Sequence, residues 1–411
     1  MLYLRCLVGI LFFCAACWAL SSDRRRFPWR VVAGGVALQF AIAWVILRTS
    51  GGERFFKSVA DGVTKLISMA MPGAEMVFGN LAKPDGPAGF VFAFAGTGLV
   101  VIVFFSALMS ILYYLGIMQV VVWALARGMT TLLGVSGAES MAMAANVFIG
   151  QSEAPLVIKP YIARMTRSEL VSLMCGGFAT IAGSVMAVYM GLLGNEYGPH
   201  LLTASVMSAP AAFVCAKILQ PETEVSQTAG KVELRIERGA TNVIEAASNG
   251  TTDGLKLWWN VIAMLIAFVA LVHLVDWILG AVAAGLTLGQ LFGYVFAPVA
   301  WLMGVDGWHD CQMFGGLLGT KVAINEFVAY QQLVNEVQPG AASAFEHARS
   351  AKMAAYALCG FANFASIGIQ IGGISALAPE RKTDLAQLAP KAMLGGAFAS
   401  WMTATIAGVY L

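Results

Sequence analysis

Charged residues are scarce in this sequence, at 12% of its 411 residues, whereas hydrophobic residues make up 59% and the mean hydropathy is +0.75. This composition excludes an ordinary soluble domain and is typical of a helical protein that crosses a bilayer several times. The net charge is only +2 and no long basic run occurs, so nothing indicates a nucleic-acid partner. We therefore predict an all-α polytopic membrane protein embedded in a lipid bilayer.

The motifs of hydrolytic centres are also missing. The four histidines are dispersed, and neither His-Glu-x-x-His nor Gly-x-Ser-x-Gly occurs. The seven cysteines lie mostly in apolar stretches without metal-ligand spacing, so we interpret them as small packing residues. The sequence thus favours a protein that is not an enzyme and that needs no organic cofactor.

Apolar stretches long enough to cross a bilayer are abundant. The basic cluster Arg24–Arg30 follows the first stretch, whereas in a signal peptide it would precede it. Basic loops remain in the cytoplasm, so we predict a retained first helix with its N-terminus outside, in the inner (plasma) membrane. Eight spans are predicted, at residues 2–20, 31–47, 89–115, 170–193, 201–219, 258–279, 353–377 and 392–411.

One segment, at about 53–78, differs from these stretches. Its apolar residues Phe55, Val59, Val63 and Ile67 recur at about every fourth position, with charged residues between them. This pattern predicts an amphipathic helix lying along the membrane interface. A helix outside the membrane that packs on its neighbours has the same pattern, so both alternatives stay open.

Two polar turns interrupt otherwise apolar surroundings. The first, Gly150–Pro155, has flanks of only about half the roughly 20 apolar residues that a spanning helix needs. Gly150 provides a flexible joint and Pro155 breaks a helix, so we predict a re-entrant hairpin with its tip at 150–155. A second re-entrant hairpin is predicted with its tip at 324–327.

Three landmarks occur twice in the same order: a Gly-Val-x-Gly turn, an acid at a hairpin tip, and a Cys-Gly motif followed by Phe-Ala (Cys175–Ala179 and Cys359–Ala362). An odd number of spans separates the two hairpins, so they enter from opposite faces. We therefore predict an inverted repeat, the usual plan of a secondary transporter. The predicted parts are a scaffold at 1–116, a first repeat at 117–219, a cytoplasmic loop at 220–254, a scaffold span at 255–287 and a second repeat at 288–411.

Acids and amides at the two turns are the candidate binding groups. Glu153 and Glu326 hold matched positions, which favours a shared function over accepting backbone N–H bonds at half-helix ends. The glycines at 360 and 368 predict an unwound or kinked segment between them. Neutral donors and acceptors come from Gln151, Asn325, Asn363 and Ser366, of which the last two share one helix face.

Such a cavity suits a neutral solute with many hydroxyl and N–H groups, because its turns contain no arginine and Lys321 is the only cation nearby. A nucleoside has this chemistry. Carboxylates accept ribose hydroxyls, an amide pairs with the base edge, and Phe361 contacts the face of the base. For Phe361 alone, simple packing is the better explanation.

A sodium site is predicted beside the first tip. Asn146 offers a side-chain oxygen, and the stretch 178–183 exposes backbone carbonyls if its helix loosens. Na⁺ is a hard cation that needs several oxygens, and broken helices supply them. For Thr180, a bond to its own helix carbonyl is an equally good explanation.

Three motifs, Gly150–Leu156, Asn325–Tyr330 and Gly360–Ser366, resemble the signatures of the concentrative nucleoside transporters, and the resemblance covers nearly the whole chain. It implies a homotrimer with eight spans per subunit, an interfacial helix and two re-entrant hairpins. Two positions differ from the commonest pattern, since Ser152 replaces a threonine and Thr180 a serine. Both keep the hydroxyl, so they affect the expected selectivity more than the expected function.

The resemblance also implies roles for individual residues. The implied base ligands are Gln151, Ser152 and Glu153, the implied ribose ligands are Glu326, Asn363 and Ser366, and the implied pocket-lining residues are Val185 and Phe361. The implied sodium ligands are Asn146, Ser152, Thr180 and the carbonyls of Ile149 and Ile181. The predicted function is Na⁺-coupled symport of nucleosides into the cell.

Three alternatives stay open. A proton could replace Na⁺ as coupling ion because Glu153 and Glu326 are titratable, although a proton site needs no oxygen cage. The same two acids could serve an intramembrane hydrolase, and a channel could admit the same solute. Saturable, gradient-driven uptake of an unchanged solute separates the symporter from the last two.

Overall fold

The computed structural model describes residues 2–82, 99–194, 196–230, 240–283, 286–337 and 344–411. Within these ranges the regular structure is helical and contains no strand, which confirms the all-α prediction. The helices are α1 Leu2–Ala19, α2 Trp29–Arg48, α3 Ser50–Met69, α4 Met71–Phe78, α5 Val101–Tyr114, α6 Ile117–Leu133, α7 Gly137–Asn146, α8 Ala154–Val157, α9 Lys159–Ile162, α10 Arg167–Ala179, α11 Gly183–Leu193, α12 Gly198–Leu219, α13 Val243–Val282, α14 Leu288–Met303, α15 Trp308–Ala323, α16 Glu326–Glu336, α17 Ala348–Leu358, α18 Phe364–Leu377 and α19 Lys382–Ala407.

Several of these helices have the length and apolar composition of membrane spans. Four qualify singly, and the number rises to six if the bent pairs α5–α6 (77°) and α14–α15 (112°) each count as one span. The four are α2, the run Arg167–Leu193, α12 and Val243–Ala281. Helices α1 and α18 are apolar but shorter, so the count of eight spans stays a prediction. The first half of the predicted span 89–115 lies mostly outside the described residues.

The predicted cytoplasmic loop at 220–254 needs a correction, because α13 begins at Val243. The side chain of Asn242 accepts a hydrogen bond from the backbone of Glu245 (2.9 Å) and so caps this helix start. An added Cβ at Gly254 would lie 2.7 Å from the Cα of Val103, so this part of α13 packs tightly on α5. The last third of the predicted loop is therefore helical. Residues 231–239 of this loop lie outside the described part of the chain.

The amphipathic segment is helical, as α3 and α4. The hydroxyl of Thr49 caps α3 by accepting the backbone N–H of Gly52 (3.0 Å). Ile67 is buried against the rest of the protein, whereas Phe55 is exposed. The helix was thus correctly predicted, while its position at a membrane interface stays a prediction.

The same series of elements occurs twice along the chain. Helices α6 and α14 both end at a glycine in the left-handed region, Gly134 (φ 71°) and Gly304 (φ 94°). A helical hairpin follows each: α7, a turn and α8–α9 form hairpin 1, while α15, a turn and α16 form hairpin 2. After each hairpin comes a helix interrupted in its middle, α10–α11 or α17–α18, and then a long helix, α12 or α19.

The base of hairpin 1, where α7 begins, is held by a buried ion pair. Glu139 in the first turn of α7 pairs with Lys217 of α12 at 2.8 Å, and both side chains are almost fully buried. The hydroxyl of Ser136, which caps α7, donates to Glu169 in the first turn of α10. These two contacts attach hairpin 1 to α12 and α10. Removing either member of the Glu139–Lys217 pair would leave a buried charge unpaired.

The base of hairpin 2 is attached in a comparable way. Asp310 in the first turn of α15 is fully buried, and it accepts the backbone N–H groups of Glu346 (2.8 Å) and His347 (3.2 Å) just before α17. Arg349 of α17 pairs with Asp306 at 2.6 Å. Hairpin 2 is therefore attached to its own interrupted helix.

Helix α1 connects the two bases. Near its N-terminus, Arg5 donates to the carbonyls of Trp301 (3.1 Å) and Val305 (2.6 Å), which lie at the base of hairpin 2. Just beyond its C-terminus, the backbone of Ser22 donates to Leu219 (3.0 Å), next to the lysine that pairs with hairpin 1. An α-helix of this length spans about 27 Å. The two bases therefore lie at opposite ends of α1.

Candidate functional site

The first interrupted helix loses its helical backbone where the sequence predicted loosening. Helix α10 ends at Ala179 and α11 begins at Gly183, while Thr180 (φ −120°, ψ 165°) and Ala182 (φ −63°, ψ 143°) between them are extended. The hydroxyl of Thr180 donates to the carbonyl of Gly176 at 2.8 Å, as the alternative explanation predicted. Its oxygen keeps lone pairs that can still accept a bond or contact a cation.

The second interrupted helix breaks at Cys359–Asn363, between α17 and α18. Gly360 has φ +126°, and an added Cβ there would lie 2.6 Å from the carbonyl oxygen of Phe178. This close approach, which glycine permits, brings the second break against the end of α10. The other predicted breaker, Gly368, lies inside the regular helix α18 and breaks nothing.

Glu326, at the tip of hairpin 2, is buried against the second break and the first interrupted helix. One carboxylate oxygen accepts from the side-chain amide of Asn363 at 2.9 Å, and the other accepts from the hydroxyl of Tyr189 at 3.2 Å. Tyr189 belongs to α11 and stacks on Tyr330 with ring centroids 4.2 Å apart. Asn363 also caps α18, since its side-chain oxygen accepts the backbone N–H of Ser366 (2.8 Å).

Gln151, at the tip of hairpin 1, reaches α18. Its amide nitrogen donates to the hydroxyl of Ser366 at 3.2 Å, and its oxygen accepts from Gln370 at 2.9 Å. Because Ser366 also bonds Asn363, and Asn363 bonds Glu326, the two tips are linked through the start of α18. The structure thus gathers four predicted substrate residues into one hydrogen-bonded layer: Gln151, Glu326, Asn363 and Ser366.

Other predicted residues lie outside this layer. Ser152 and Glu153 are exposed, and the Glu153 carboxylate folds back over Gly150. Val185 is buried on α11, and Phe361 is half-buried in the second break. These four residues make none of the hydrogen bonds that link the tips in the described part of the chain.

Asn325 has a different role from the ligands beside it. Its side-chain oxygen accepts the backbone N–H of Val328 at 2.8 Å, which makes it the N-cap of α16. It therefore orients the first turn of α16, where Glu326 begins the helix.

Asn146 is the predicted sodium ligand with the clearest structural signature. Its side-chain oxygen and nitrogen are both buried and lack a hydrogen-bond partner among the described residues. Its nitrogen would be 3.1 Å from a Cβ added at Gly176, the residue whose carbonyl holds Thr180. The turn after Asn146 is joined to the first break, since Gly183 donates to the carbonyl of Phe148 at 2.9 Å.

A buried amide without a partner is rare, because desolvation costs about 1–3 kcal/mol for each unsatisfied group. The side-chain oxygen of Asn146 beside an extended backbone segment is the kind of donor set that a hard cation uses. The carbonyls of Ile149 and Ile181 belong to these same two segments, the turn and the break. The residues present therefore fit a sodium ion.

Lys321 of α15 carries a buried positive charge close to the second break. Its ammonium donates to the carbonyls of Ala357 (2.8 Å) and Cys359 (3.5 Å) and to the hydroxyl of Ser400 (2.8 Å). These carbonyls end α17, where a positive charge is stabilised by the helix dipole. Lys321 thus stabilises the end of α17 at the second break, and its three donor hydrogens are used by these contacts.

The side chains of the layer between the tips hydrogen-bond to one another. A cavity of about 110 Å³ lies elsewhere, at the base of hairpin 1 beside Gly137, Tyr161 and Thr228. Its lining contains none of the residues that link the tips, so this cavity is separate from the hydrogen-bonded layer.

Comparison with protein families identifies the class to which this fold and site belong. Models described as the Na⁺ dependent nucleoside transporter C-terminus and N-terminus match residues 200–408 and 8–81, and one described as nucleoside recognition matches residues 97–196. The class is that of the nucleoside transporters. The chain belongs to the Na⁺ dependent nucleoside transporter family, which confirms the resemblance to the concentrative nucleoside transporters and excludes the hydrolase.

Individual relatives agree with this assignment. The chain is 43% identical to an uncharacterized transporter of Haemophilus influenzae, over 98% of this chain and 97% of that protein. It is 40% identical to sodium/nucleoside cotransporter 1 of Mus musculus over 98% of its own length, which corresponds to 63% of the mouse protein.

Solved structures agree as well. CNTnw in an inward-facing substrate-bound state superposes with a TM-score of 0.93 at 40% identity, covering 100% of this chain and 99% of that chain. A doubly substituted CNTnw in an outward-facing state superposes with the same TM-score at 39% identity, again over 100% and 99%. The two states therefore match this chain equally well over its whole length.

Proposed function

We propose that this protein is a symporter that uses an inward Na⁺ gradient to carry nucleosides into the cell. The observation that supports this most strongly is the hydrogen-bonded layer between the tips. Glu326 reaches Asn363 at 2.9 Å, and Gln151 reaches Ser366 at 3.2 Å. A polar layer between two hairpin tips and two broken helices has the location of the binding site in many secondary transporters.

Within this layer, the chemistry of each group suggests its role. The carboxylate of Glu326 and the side chains of Asn363 and Ser366 suit the ribose hydroxyls. Gln151 suits a base edge because its side-chain amide can form hydrogen bonds with the polar groups of the base. Ser152 and Glu153 complete the proposed base site, and Val185 and Phe361 line it. A nucleoside bound by these groups would replace hydrogen bonds that they now make with one another.

The proposed coupling ion is Na⁺, held by Asn146, Ser152 and Thr180 and by the carbonyls of Ile149 and Ile181. The buried and unpartnered amide of Asn146 supports this assignment. A proton would need only a titratable group, and an orphan amide beside extended backbone would then serve no purpose. Proton coupling through Glu153 and Glu326 is the alternative that an imposed pH gradient would test.

The proposed mechanism is alternating access in an inverted repeat. Its support is that the two hairpin bases lie at opposite ends of α1, so the hairpins enter the bundle from opposite sides. Each base is attached to an interrupted helix through polar contacts of a buried side chain, Glu169 for hairpin 1 and Asp310 for hairpin 2. Both hairpins and both interrupted helices would therefore move together against the scaffold formed by the first three spans and α13.

Orientation follows from the distribution of charge at the two ends. Arg24, Arg25 and Arg26 are exposed at the end near the base of hairpin 1. At the other end, Arg5 and Arg349 are both paired with Asp306. Three arginines in succession favour the cytoplasmic side, which supports an N-terminus outside and a location in the plasma membrane. Eight spans, re-entrant hairpins and a homotrimer complete the proposal.

A cysteine placed at Val328 is expected to change its reactivity with substrate and sodium. Val328 lies in the first turn of α16 and is only 7% exposed, so it reacts with a soluble thiol reagent only when hairpin 2 moves away from its neighbours. We expect labelling in sodium-free buffer to differ severalfold from labelling with Na⁺ and uridine. All seven native cysteines are buried, and Cys175 and Cys359 are replaced first because they lie closest to the site.

A cysteine at Met76 provides the control for this labelling experiment. Met76 is 90% exposed in α4, within the proposed static scaffold, so its labelling should be rapid in every condition. Identical labelling of Val328→Cys in all conditions would contradict movement of hairpin 2. Accumulation of uridine in proteoliposomes tests the function itself.

A further inference from the structure

Gln370 is a buried glutamine of α18 that the proposed roles do not yet include. Its side chain is 1% exposed, and its amide nitrogen donates two hydrogen bonds. One goes to the backbone carbonyl of Met174 in α10 at 3.1 Å, and the other to the side-chain oxygen of Gln151 at 2.9 Å. Both N–H groups of Gln370 are therefore used.

The bond to Met174 determines the orientation of both glutamines. A backbone carbonyl can only accept, so the atom of Gln370 that faces Met174 must be its nitrogen. The same nitrogen faces Gln151, which must then present its oxygen. The nitrogen of Gln151 is left on the other side, where Ser366 accepts one of its two N–H bonds. This assignment depends on a backbone group whose polarity is unambiguous, unlike that of a side-chain amide.

A glycine in α10 makes this arrangement possible. A Cβ added at Gly177 would lie 2.7 Å from the amide nitrogen of Gln370 and 2.9 Å from the Cβ of Gln151. No real Cβ tolerates contacts of this kind without displacing its neighbours. Gly177 therefore lets both glutamines approach the backbone of α10, and this observation is independent of the hydrogen bonds.

We infer that Gln370 is a positioning residue that locks the amide of Gln151 with its N–H group toward the substrate, so that Gln151 reads the nucleoside base as a hydrogen-bond donor. This inference rests on the proposed function, in which Gln151 holds the base. It extends that function because Gln370, which is not one of the proposed substrate ligands, determines that Gln151 donates to the base and does not accept from it.

Uridine and cytidine distinguish a locked amide from a free one. The two nucleosides have nearly the same shape, but their donors and acceptors are exchanged at positions 3 and 4 of the base. An N–H group that is fixed in place forms a hydrogen bond with an acceptor on one of the two bases. On the other base it faces a donor at the same position and forms no hydrogen bond. An amide that is free to turn over adapts to both, because its oxygen and nitrogen ends have the same size.

The experiment compares uridine with cytidine in wild type and in Gln370→Met. Methionine keeps the length of the buried side chain but removes both donors. For wild type we expect a uridine-to-cytidine ratio of apparent affinities that departs from one by about tenfold, the effect of one mismatched hydrogen bond. In Gln370→Met the ratio should come within about twofold of one, whichever nucleoside wild type prefers.

Gln39→Met is the matched control. Gln39 is also fully buried, and its amide donates to the carbonyl of Gly35 in α2 (3.3 Å), so the chemical change is the same. Its ratio should equal that of wild type. A uridine-to-cytidine ratio that is unchanged in Gln370→Met would overturn the inference. So would a ratio that shifts equally in Gln370→Met and Gln39→Met, because a lock on Gln151 predicts a shift only for the substitution at position 370.

Two further measurements keep the inference testable. If Gln370→Met does not assemble, Gly177→Ala should give the same loss of selectivity because its methyl group displaces both glutamines, and an unchanged ratio there counts against the lock. Competitive binding of uridine and cytidine to purified protein replaces uptake where transport is lost. Wild type that neither binds nor accumulates uridine contradicts the proposed function, and the lock with it. Normal uridine uptake without the change in ratio contradicts the lock alone.

Discussion

Glu326→Gln is expected to reduce nucleoside uptake on the order of a hundredfold, the loss of two charge-assisted hydrogen bonds. The carboxylate offers acceptors on both oxygens, now used by Tyr189 and Asn363. Glutamine offers one acceptor and an NH₂ group that mismatches a ribose hydroxyl. The protein should still fold, because a hydroxyl such as that of Tyr189 can also accept from NH₂.

Uptake of radiolabelled uridine by proteoliposomes, at equal amounts of assembled protein, measures this effect. Glu336→Gln provides the matched control, since Glu336 ends the same helix, α16, far from its tip, and should transport normally. The ribose assignment also predicts that 2′- and 3′-deoxy nucleosides bind more weakly and that free nucleobases hardly compete. Near-normal uptake and affinity in a well-folded Glu326→Gln protein would contradict the assignment.

Asn146→Ser should raise the sodium concentration for half-maximal uptake by about tenfold, the effect of one lost ligand. Serine keeps an oxygen but is too short to place it where the buried amide of Asn146 lies. The apparent affinity for uridine should fall as well, because coupling between two ligands is reciprocal. Uridine uptake measured against sodium concentration, and against uridine concentration at fixed sodium, separates the two effects.

Asn242→Ser is the control for this substitution. Asn242 caps α13 outside the site, and serine caps helices nearly as well, so uptake should be unaffected. A sodium dependence of Asn146→Ser equal to that of wild type would remove Asn146 from the ion site, whatever the coupling ion is.

The hairpin tips and the helix breaks were predictable because their composition differs from that of the apolar stretches around them. Glycine, proline and polar side chains within apolar stretches are costly in a membrane, so Gly150–Pro155 and Gly360–Ser366 could be located from the sequence. The exact positions of the helix breaks were predicted less accurately. Cys175–Ala179 forms the last turn of α10, whereas Cys359–Ala362 lies within the second break, so these matching motifs occupy different structural positions.

Other features of the site were missed for different reasons. Gln370 had a signal, since positions 363, 366 and 370 fall on one face of a helix. Tyr189 had none, because its bond to Glu326 joins residues 137 positions apart through tertiary packing. The sequence identifies Lys321 only as a nearby cation, since nothing in it shows that α17 ends beside this lysine.

The central claim is that an inward sodium gradient drives nucleoside accumulation. The most direct test is uridine uptake into proteoliposomes under an inward Na⁺ gradient, compared with sodium-free vesicles under an imposed pH gradient. The account predicts accumulation above equilibrium in the first case and only equilibration in the second. Equal accumulation in sodium-free vesicles would contradict it and make Glu153 and Glu326 the coupling groups, while equilibration under both gradients would indicate a channel.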